Sequence, residues 1–346
     1  MSFVPPEWCE HRAVWMTWPS MESWWPGMRD EALGAFAELA AALSRFVPVR
    51  VNCAPGARAG AEALMNSARA DMACIEFFPH ETDDVWCRDS GAIFRFGEES
   101  LEAVDFRYNA WGGKFPPWDR DDALAAKMAR AAGARNFRFD GFVCEGGALE
   151  FSGSGELLTT DCVILNPNRN RISPEAARAV LREALGVGEI VSLPGGLFND
   201  DTDGHIDNLA RFTPCGAVLA SCCESGNPSF GALSENMAVL RDSRGAGGRR
   251  FDVVPLRLPD DAVIINSKAA PASYANYLVT NGLVLVPTFG QPRSDDRAMG
   301  TIADMFPGRA VRGIESRPFL AEGGAVHCLT QQEPLWKPET ENPKKS

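Results

Sequence analysis

Apolar side chains recur at every third or fourth position in four segments of the chain, a pattern that predicts amphipathic helices. Between Asp30 and Arg45, for example, Leu33, Phe36 and Leu43 would share one face of a helix. The other three segments extend from Asp121 to Ala132, from Pro174 to Leu185 and from Ala298 to Met305. Each helix should therefore pack one face against a core.

Short apolar runs separate these helices and predict strands. They are Val49 to Cys53, Cys74 to Phe78, Ala92 to Phe96, Leu157 to Thr160, Val218 to Ser221, Val253 to Leu256 and Leu283 to Pro287. Strands that alternate with helices indicate an α/β protein. Because no Gly/Ser linker or shift in composition divides the chain, we expect one domain over residues 1–336, followed by a polar tail over residues 337–346.

Two distant stretches resemble each other. Phe142 to Phe151 and Phe319 to Cys328 share an initial Phe, a Glu-Gly-Gly-Ala core and an apolar residue after it. Such an echo indicates an architecture of repeated modules, for which a propeller is one solution. Equivalent turns of the modules would then converge on one central site, where Cys328 takes the place of Phe151.

Composition and charge narrow the possible partners. Hydrophobic residues make up 45% of the chain and charged residues 23%, values typical of a globular protein. A net charge of −12 without a basic run argues against nucleic acid as a partner. The same charge is compatible with a small cationic substrate.

The chain has the features of a cytoplasmic protein. Its N-terminus lacks the basic start and apolar core of a signal peptide, and no apolar run approaches the ~18 residues of a membrane helix. Ten cysteines in 346 residues are too dilute for a disulfide scaffold, so reduced thiols are expected. A homo-oligomer such as a dimer is compatible with the sequence, which does not define the oligomeric state.

Three segments concentrate chemically active side chains. In the first, Asn199 to Asn208, His205 and Asp207 would point to the same face if the segment is extended. A carboxylate beside a histidine favours the charged imidazolium, which suits a general acid. Zinc binding by His205, Asp203, Asp207 and a cysteine is the rival interpretation, but no HxxxH, HExxH or CxxC spacing is present.

The second segment, Thr82 to Gly91, places Asp84, Arg88 and Asp89 around Trp86. The alternative to a functional site here is a surface turn with an ion pair. The third segment places Cys328 shortly after a Gly-Gly turn. Cys328 is either a buried, inert cysteine or a thiolate nucleophile near a histidine.

These segments belong to a longer set of motifs that resembles the agmatine deiminase and peptidylarginine deiminase family of guanidino-modifying enzymes. The motifs are PEW at 6–8, DVWCRDSG at 84–91, NAWGGK at 109–114, LNPNRN at 165–170, DGHIDN at 203–208 and VHCLTQQ at 326–332. They occur in the family's order along nearly the whole chain. The resemblance implies an α/β propeller of five modules and a reaction that needs neither metal nor organic cofactor.

The resemblance also implies a role for four residues. Cys328 would be the nucleophile and His205 the general acid and base, while Asp89 and Asp207 would grip the guanidinium nitrogens. Two carboxylates suit this planar cation because they form paired, charge-assisted hydrogen bonds with it. The thiolate would add to the guanidinium carbon, ammonia would leave, and water would hydrolyse the S-alkyl-thiouronium intermediate.

Agmatine, which gives N-carbamoylputrescine, is the expected substrate, and free or peptidyl arginine is the alternative. Members of the family commonly carry a glutamate where this chain has Asp201, and a glycine where it has Glu322. Asp201, Trp86, Glu145 and Asp84 are the further residues that we expect to bind the substrate. An arginine substrate would need a cation for its carboxylate, for which Arg88 and Arg107 are candidates. A metal-dependent hydrolase and a non-catalytic relative that only binds a cationic ligand remain as other classes.

Overall fold

The structure is a computed structural model that describes residues 2–21 and 24–337. Within these ranges no helix combines the length and the apolar character that crossing a membrane requires. The polar tail predicted for residues 337–346 lies outside the described residues except for Lys337.

Strands and helices alternate along the chain, which confirms the α/β class. The strands are β1 (His11–Thr17), β2 (Val49–Asn52), β3 (Ile75–Phe78), β4 (Ile93–Phe96), β5 (Leu101–Arg107), β6 (Arg135–Val143), β7 (Glu150–Phe151), β8 (Glu156–Thr160), β9 (Glu189–Leu193), β10 (Ala210–Phe212), β11 (Ala217–Cys222), β12 (Asp252–Arg257), β13 (Ile264–Ile265), β14 (Lys268–Ala269), β15 (Leu278–Thr280), β16 (Leu283–Thr288), β17 (Ala310–Glu315) and β18 (Thr330–Pro334). The helices are α1 (Arg29–Ser44), α2 (Arg58–Ser67), α3 (Cys87–Ser90), α4 (Ala110–Gly113), α5 (Asp119–Asp122), α6 (Leu124–Ala132), α7 (Asp161–Ile164), α8 (Pro174–Leu185), α9 (Phe230–Asp242), α10 (Pro292–Met305) and α11 (Arg317–Leu320).

Five sheets of the described chain share one arrangement. In each, an antiparallel pair is followed by a strand parallel to the second member of the pair. The strand orders are β4-β5-β6, β7-β8-β9, β10-β11-β12, β15-β16-β17 and β18-β1-β2, the last extended by β3. A helix lies between the two parallel strands of every unit: α6, α8, α9, α10 and α1 in the same order. Parallel neighbours need such a crossover because a hairpin cannot join them.

The last described strand pairs with the first. β18 runs antiparallel to β1, with Trp15 opposite Gln331 and Met16 opposite Thr330. The indole Nε1 of Trp15 also donates a 2.8 Å hydrogen bond to Oε2 of Glu333. This pairing fixes the segment just before β18, which contains Cys328, to a strand from the other end of the chain.

Local sequence explains where α8 begins and ends. The Ser173 hydroxyl accepts a hydrogen bond from the backbone N–H of Ala176, and Pro174 occupies the first turn, where its missing N–H costs nothing. Gly186 ends the helix at a φ of 68°, a left-handed conformation that glycine adopts without strain. The predicted bounds of this helix are confirmed, whereas the helix predicted for Asp121 to Ala132 is divided into α5 and α6.

Two sequence interpretations are wrong in detail. The segment around His205 is not extended, because Ile206–Asn208 forms a 3-10 turn. The second concerns Cys328, which precedes β18, whereas Phe151 lies within β7, so Cys328 does not take the place of Phe151. The shared Glu-Gly-Gly-Ala core does lie at equivalent places, in the turn before the first strand of a sheet, β7 in one stretch and β18 in the other.

Candidate active site

The turns that precede the first strands of the five sheets meet at one place. They contribute Asp89 before β4, Gly147 before β7, Asp207 before β10, Asn276 before β15 and Cys328 before β18. Hydrogen bonds and close contacts link these five residues to one another, as the next paragraphs describe. Residues far apart in the sequence thus form one buried cluster.

Cys328 lies at the cluster with its thiol nearly covered, since the residue is 3% exposed. The side-chain amide of Asn276 donates to Sγ at 3.0 Å, and Sγ lies 3.6 Å from Oδ2 of Asp207. Burial raises the pKa of the thiol well above its ordinary value, and the charges of Asp207 and Asp89 raise it further. Cys328 is therefore a protonated thiol while these carboxylates face it without a cation between them.

His205 is buried between carboxylates. Its Nδ1 lies 3.5 Å from Oδ1 of Asp89, and its Nε2 lies 3.8 Å from Oε2 of Glu145. Neither nitrogen has a hydrogen-bond partner within the described part of the chain. Burial alone disfavours the imidazolium, but the nearby Asp89, Glu145 and Asp207 outweigh it and raise the pKa of His205 to about 9. His205 thus carries a proton near neutral pH, as a general acid must.

Glu145 lies behind His205. Arg169 donates from Nε to Oε1 of Glu145 at 2.9 Å, and both side chains are fully buried. Burial alone would raise the pKa of Glu145, but His205 and Arg169 lower it, so the carboxylate is ionised. Although we expected Glu145 to bind the substrate, the structure places its carboxylate against Arg169 and His205.

The two carboxylates expected to grip a guanidinium differ in their partners. Oδ2 of Asp89 accepts from the indole N–H of Trp111 at 3.0 Å, and Oδ1 accepts from the backbone N–H of Gly147 at 3.1 Å. Burial raises the pKa of Asp89 to about 6, although His205 opposes this shift. Burial would likewise raise the pKa of Asp207, but His327 more than offsets it, and the pKa of Asp207 is lowered.

Gly147 allows these groups to come together. A Cβ atom at this position would lie 2.5 Å from Nδ1 of His205, 2.7 Å from Oδ1 of Asp89 and 3.1 Å from Oδ2 of Asp207. Any side chain would push the imidazole and the two carboxylates apart. The need for glycine here comes from close packing of the site.

A cleft of about 320 Å³, including its open mouth, leads to Sγ of Cys328. The residues that line it are Trp86, Asp89, Trp111, Phe115, Asp201, Thr202, Glu322, Gly323, Gly324 and Cys328. Asp201 and Glu322 are exposed at this cleft. Trp86 is 4% exposed and belongs to the hydrophobic core as well as to the cleft wall. The Trp86 ring packs on Gly324, where a Cβ would approach Cζ3 to 2.3 Å.

Other predicted residues lie away from the cleft lining. Asp84 accepts the backbone N–H of Val85 at 2.8 Å, and burial raises the pKa of its carboxyl to about 7. Arg88 points away from Asp89, its neighbour in sequence, and donates to Oε1 of Gln332 at 2.6 Å. Arg107 is exposed and does not line the cleft.

The proposed zinc ligands are not grouped as a metal site. Asp203 pairs with Lys114 at 2.7 Å and with Arg169, so two cations occupy its carboxylate. Over residues 2–21 and 24–337, no three or more His, Cys, Asp or Glu side chains lie close enough together to hold a metal ion.

Several residues of the site were not singled out from the sequence. Trp111, His327 and Glu7 lie within family-like motifs, so position in a motif was the available signal. Asn276 and Gly147 lie outside these motifs, so the sequence did not indicate that they contribute to the site. Their importance becomes visible only when the turns of different sheets are brought together.

Comparison with known proteins gives a consistent set of relatives. Residues 3–334 match the family described as Porphyromonas-type peptidyl-arginine deiminase. Agmatine deiminase of Stutzerimonas stutzeri is 36% identical over 356 residues, which covers 96% of this chain and 95% of that protein. Agmatine deiminase of Pseudomonas putida is 36% identical over 355 residues with the same coverage.

Solved structures of similar proteins cover the chain to the same extent. Agmatine deiminase of Enterococcus faecalis has a TM-score of 0.91 and 29% identity, with 96% of each chain covered. A cysteine-to-serine variant of the C. jejuni agmatine deiminase with substrate bound has a TM-score of 0.86 and 28% identity, also with 96% of each chain covered.

Proposed function

Since the chain belongs to the Porphyromonas-type peptidyl-arginine deiminase family, we propose that it hydrolyses the guanidino group of agmatine, releasing ammonia and N-carbamoylputrescine. The cleft supports this substrate. Asp89 lies near Cys328 at its inner end, and Asp201 and Glu322 add two further carboxylates to its lining. Agmatine carries a guanidinium at one end and an ammonium at the other, so both of its charges would face acidic groups.

The same lining disfavours arginine as the substrate. Within the described chain, no arginine or lysine side chain is among the residues that line the cleft. The α-carboxylate of free arginine would therefore lie near Asp201 and Glu322, and the cation beside Asp201, Lys114, is already paired with Asp203 at 2.7 Å. Like charges brought together in this way cost binding free energy.

Substrate binding also prepares the nucleophile. The negative charges of Asp207 and Asp89 contribute to the raised pKa of Cys328. A guanidinium held by these two carboxylates offsets their charge and adds a positive charge beside Sγ. The thiol then loses its proton to solvent more easily, and the thiolate forms where the electrophilic carbon is bound.

The first half of the reaction forms a covalent intermediate. Sγ of Cys328 adds to the guanidinium carbon and gives a neutral tetrahedral adduct. The His205 imidazolium transfers its proton to one amino group, which leaves as ammonia when its C–N bond breaks. The remaining carbon carries sulfur and two nitrogens, which is an S-alkyl-thiouronium cation, and His205 is now neutral.

The second half restores the enzyme. Neutral His205 removes a proton from water, and the hydroxide adds to the thiouronium carbon. The new adduct breaks its C–S bond, so the thiolate leaves and a protonated ureido group remains. That group loses its proton to solvent, and Cys328 takes up a proton to become a thiol again. His205 already holds the proton required for the next cycle.

The proposed fold and the proposed reaction agree with each other. The five similar sheets would be the modules of an α/β propeller in a single domain of residues 1–336. The turns that meet at Cys328 would then surround the central axis. Pairing of β18 with β1 supports this arrangement, because it joins the last unit to the first strand of the chain.

Ammonia release tests the proposed function. Agmatine, arginine, an arginine-containing peptide and a methylated guanidine should be compared at equal concentration, and the ureido product identified by mass spectrometry. We expect turnover of agmatine in clear preference to the others, and a loss of at least about a thousandfold for Cys328→Ala. Cys222→Ala serves as the control because Cys222 lies in β11, outside the cleft lining. Full activity of Cys328→Ala, or faster turnover of arginine than of agmatine, would overturn the proposal.

A further inference from the structure

His327 lies directly before the nucleophile in the sequence, and each of its ring nitrogens contacts a carboxylate. Its Nδ1 lies 2.7 Å from Oδ2 of Asp207, and its Nε2 lies 2.8 Å from Oε2 of Glu7. All three residues are buried: His327 is 1% exposed, Asp207 0% and Glu7 6%. One imidazole thus connects a carboxylate of the site to a glutamate near the N-terminus.

Glu7 is held firmly in this position. Its Oε2 also accepts from Nη2 of Arg211 at 2.9 Å, and its Oε1 accepts from the backbone N–H of Val279 at 2.7 Å. Arg211 is fixed in turn by Glu150, to which it donates from Nε at 2.9 Å, and by the carbonyl of Tyr277. Burial alone would raise the pKa of Glu7, but Arg211 and His327 lower it well below its ordinary value. Glu7 is therefore ionised.

The two contacts of His327 fix the position of its ring. One carboxylate lies at each ring nitrogen, so the imidazole cannot rotate without losing both contacts. The carboxylate of Asp207 is therefore held by a ring that Glu7 holds from its other side.

The two oxygens of Asp207 differ in their contacts. Oδ2 contacts Nδ1 of His327 and also lies 3.6 Å from Sγ of Cys328, while Oδ1 is buried without a hydrogen-bond partner among the described residues. Burying a carboxylate oxygen without a hydrogen-bond donor costs free energy unless a bound ligand supplies the donor. A guanidinium N–H is the donor that the proposed substrate would bring.

We propose that Glu7 and His327 are positioning residues for the guanidinium site: Glu7 holds the imidazole of His327, and His327 holds Asp207 by Oδ2 beside Sγ of Cys328, which leaves the unpartnered Oδ1 to receive a donor from the substrate. This inference rests on the proposed function, since the cation that Oδ1 would receive is the guanidinium. Neither residue touches the reacting atoms. Both act through Asp207.

Other titratable groups face Glu7, His327 and Asp207 and are left unchanged in Glu7→Gln. They are Cys9, His11, Arg88, Glu150 and Arg211 on the side of Glu7, and Asp89, Asp200, His205 and Cys328 on the side of Asp207. Glu150→Gln is the matched control. It removes one negative charge from the same Arg211 but leaves both hydrogen bonds of His327 in place.

The test compares Glu7→Gln with Glu150→Gln in the full-length protein. Without the carboxylate of Glu7, the imidazole of His327 is held less firmly, and Asp207 loses part of the interaction that keeps its pKa low. The acidic limb of the kcat/KM profile for agmatine should therefore move to higher pH in Glu7→Gln, with kcat/KM reduced about tenfold or more and KM raised. Glu150→Gln should leave the limb in place. His327→Asn, which retains one short polar side chain, should reproduce the shift of Glu7→Gln.

A second measurement does not depend on turnover. The pH dependence of iodoacetamide alkylation at Cys328, followed by peptide mapping, should shift to higher pH in Glu7→Gln, because the contact of His327 with Asp207, which offsets the carboxylate charge beside Sγ, is weakened. If the wild-type protein shows this coupling but no deiminase activity, the proposed function fails while the link from Glu7 to the site stands. If the wild type is active and both glutamine variants lose stability and activity equally, with no shift in either pH profile, Glu7 is only structural and the inference is overturned.

Discussion

Nε2 of His205 lies 3.8 Å from Oε2 of Glu145, and the carboxylate is backed by Arg169. His205, the general acid of the proposed reaction, thus lies beside the buried carboxylate of Glu145, whose charge is balanced by Arg169. Because Arg169 fixes Glu145 from behind, the carboxylate can raise the pKa of His205 without rotating away. The strength of the acid is therefore set partly by Asp89, which lines the cleft, and partly by Glu145, which lies outside its lining.

Replacing Glu145 by glutamine should weaken this effect. Glu145→Gln retains the shape of the side chain but removes its charge, so the pKa of His205 should fall from its wild-type value of about 9. We expect kcat for agmatine to fall about tenfold or more, because a less protonated imidazole delivers fewer protons to the leaving amine. Titration of the imidazole by NMR measures the pKa directly.

Asp203→Asn is the control for this variant, since it also removes a carboxylate from Arg169 but leaves Glu145 intact. An unchanged His205 titration in Glu145→Gln would contradict the assignment of Glu145 as the source of the raised pKa. An equal drop in both variants would show that Arg169, and not the charge of Glu145, controls His205.

Binding of agmatine should weaken in acid. The pKa of Asp89 is raised to about 6, so the carboxylate becomes a neutral acid as the pH falls through that value and loses its attraction for the guanidinium. In a Cys328→Ala background, which blocks turnover, we expect the Kd to rise toward about tenfold per pH unit below 6. Isothermal titration calorimetry between pH 5 and pH 8 measures this dependence.

A companion variant identifies the titrating group. Adding Asp89→Asn to Cys328→Ala should weaken binding at every pH and flatten the dependence, because the group that titrates near pH 6 has gone. A Kd for Cys328→Ala that stays constant from pH 8 to pH 5 would show that Asp89 does not govern guanidinium binding.

Asp84 should affect stability more than catalysis. Burial raises its folded-state pKa from an ordinary 3.8 to about 7, so the ionised form is disfavoured in the folded protein. The stability associated with this group is fully present below its ordinary pKa and is lost progressively as the pH rises to about 7. Asp84→Asn should therefore raise the melting temperature more at pH 8 than at pH 5, with a gain on the order of a few kcal/mol at the higher pH.

The activity of the same variant decides the role of the residue. Asp84 does not line the cleft, so KM for agmatine should stay within about twofold of the wild type. A large rise in KM without a change in stability would instead restore the expectation that Asp84 binds the substrate.

Sequence patterns predicted the central strands better than the outer ones for a physical reason. The middle strands β11 and β16 are buried along almost their whole length and contain mainly apolar residues. Outer strands such as β6 and β17 have many exposed or half-exposed positions, so no apolar run marks them. Strand β5 is buried but contains Asp105, which is paired with Arg138, and this buried ion pair interrupts its apolar pattern.

The site shows a similar division. Cys328, His205, Asp89 and Asp207 carry chemistry in their side chains, and the structure places them in one cluster; their catalytic roles remain predictions. Gly147 and Asn276 act through close packing and a single hydrogen bond, which depend on turns from other sheets. Glu145 was predicted to bind a cationic substrate because it is a carboxylate, but in the structure its partner is Arg169. Charges can be counted from sequence, but their partners require the tertiary structure.

Selectivity for a dicationic substrate should depend on the mouth of the cleft. Asp201 and Glu322 both line it, and Oε1 of Glu322 is held by the backbone N–H of Trp25 at 3.0 Å. Asp201→Asn and Glu322→Gln should each raise KM for agmatine about three- to tenfold, with little change in kcat, because an exposed carboxylate contributes roughly 1 kcal/mol to such a contact. Butylguanidine lacks the terminal ammonium, so its KM should change less than twofold in either variant.

Salt separates this electrostatic effect from a change in cleft shape. Raising the ionic strength screens the carboxylates of Asp201 and Glu322 from the substrate, so it should increase KM for agmatine in the wild type. The increase should be smaller in the double variant Asp201→Asn/Glu322→Gln, which lacks both charges. Asp242→Asn, at the exposed end of α9, controls for the change in net charge and should leave both KM values unaltered. If the two cleft variants raise KM for agmatine and butylguanidine equally, Asp201 and Glu322 shape the cleft without recognising the ammonium, and selectivity must come from another part of it.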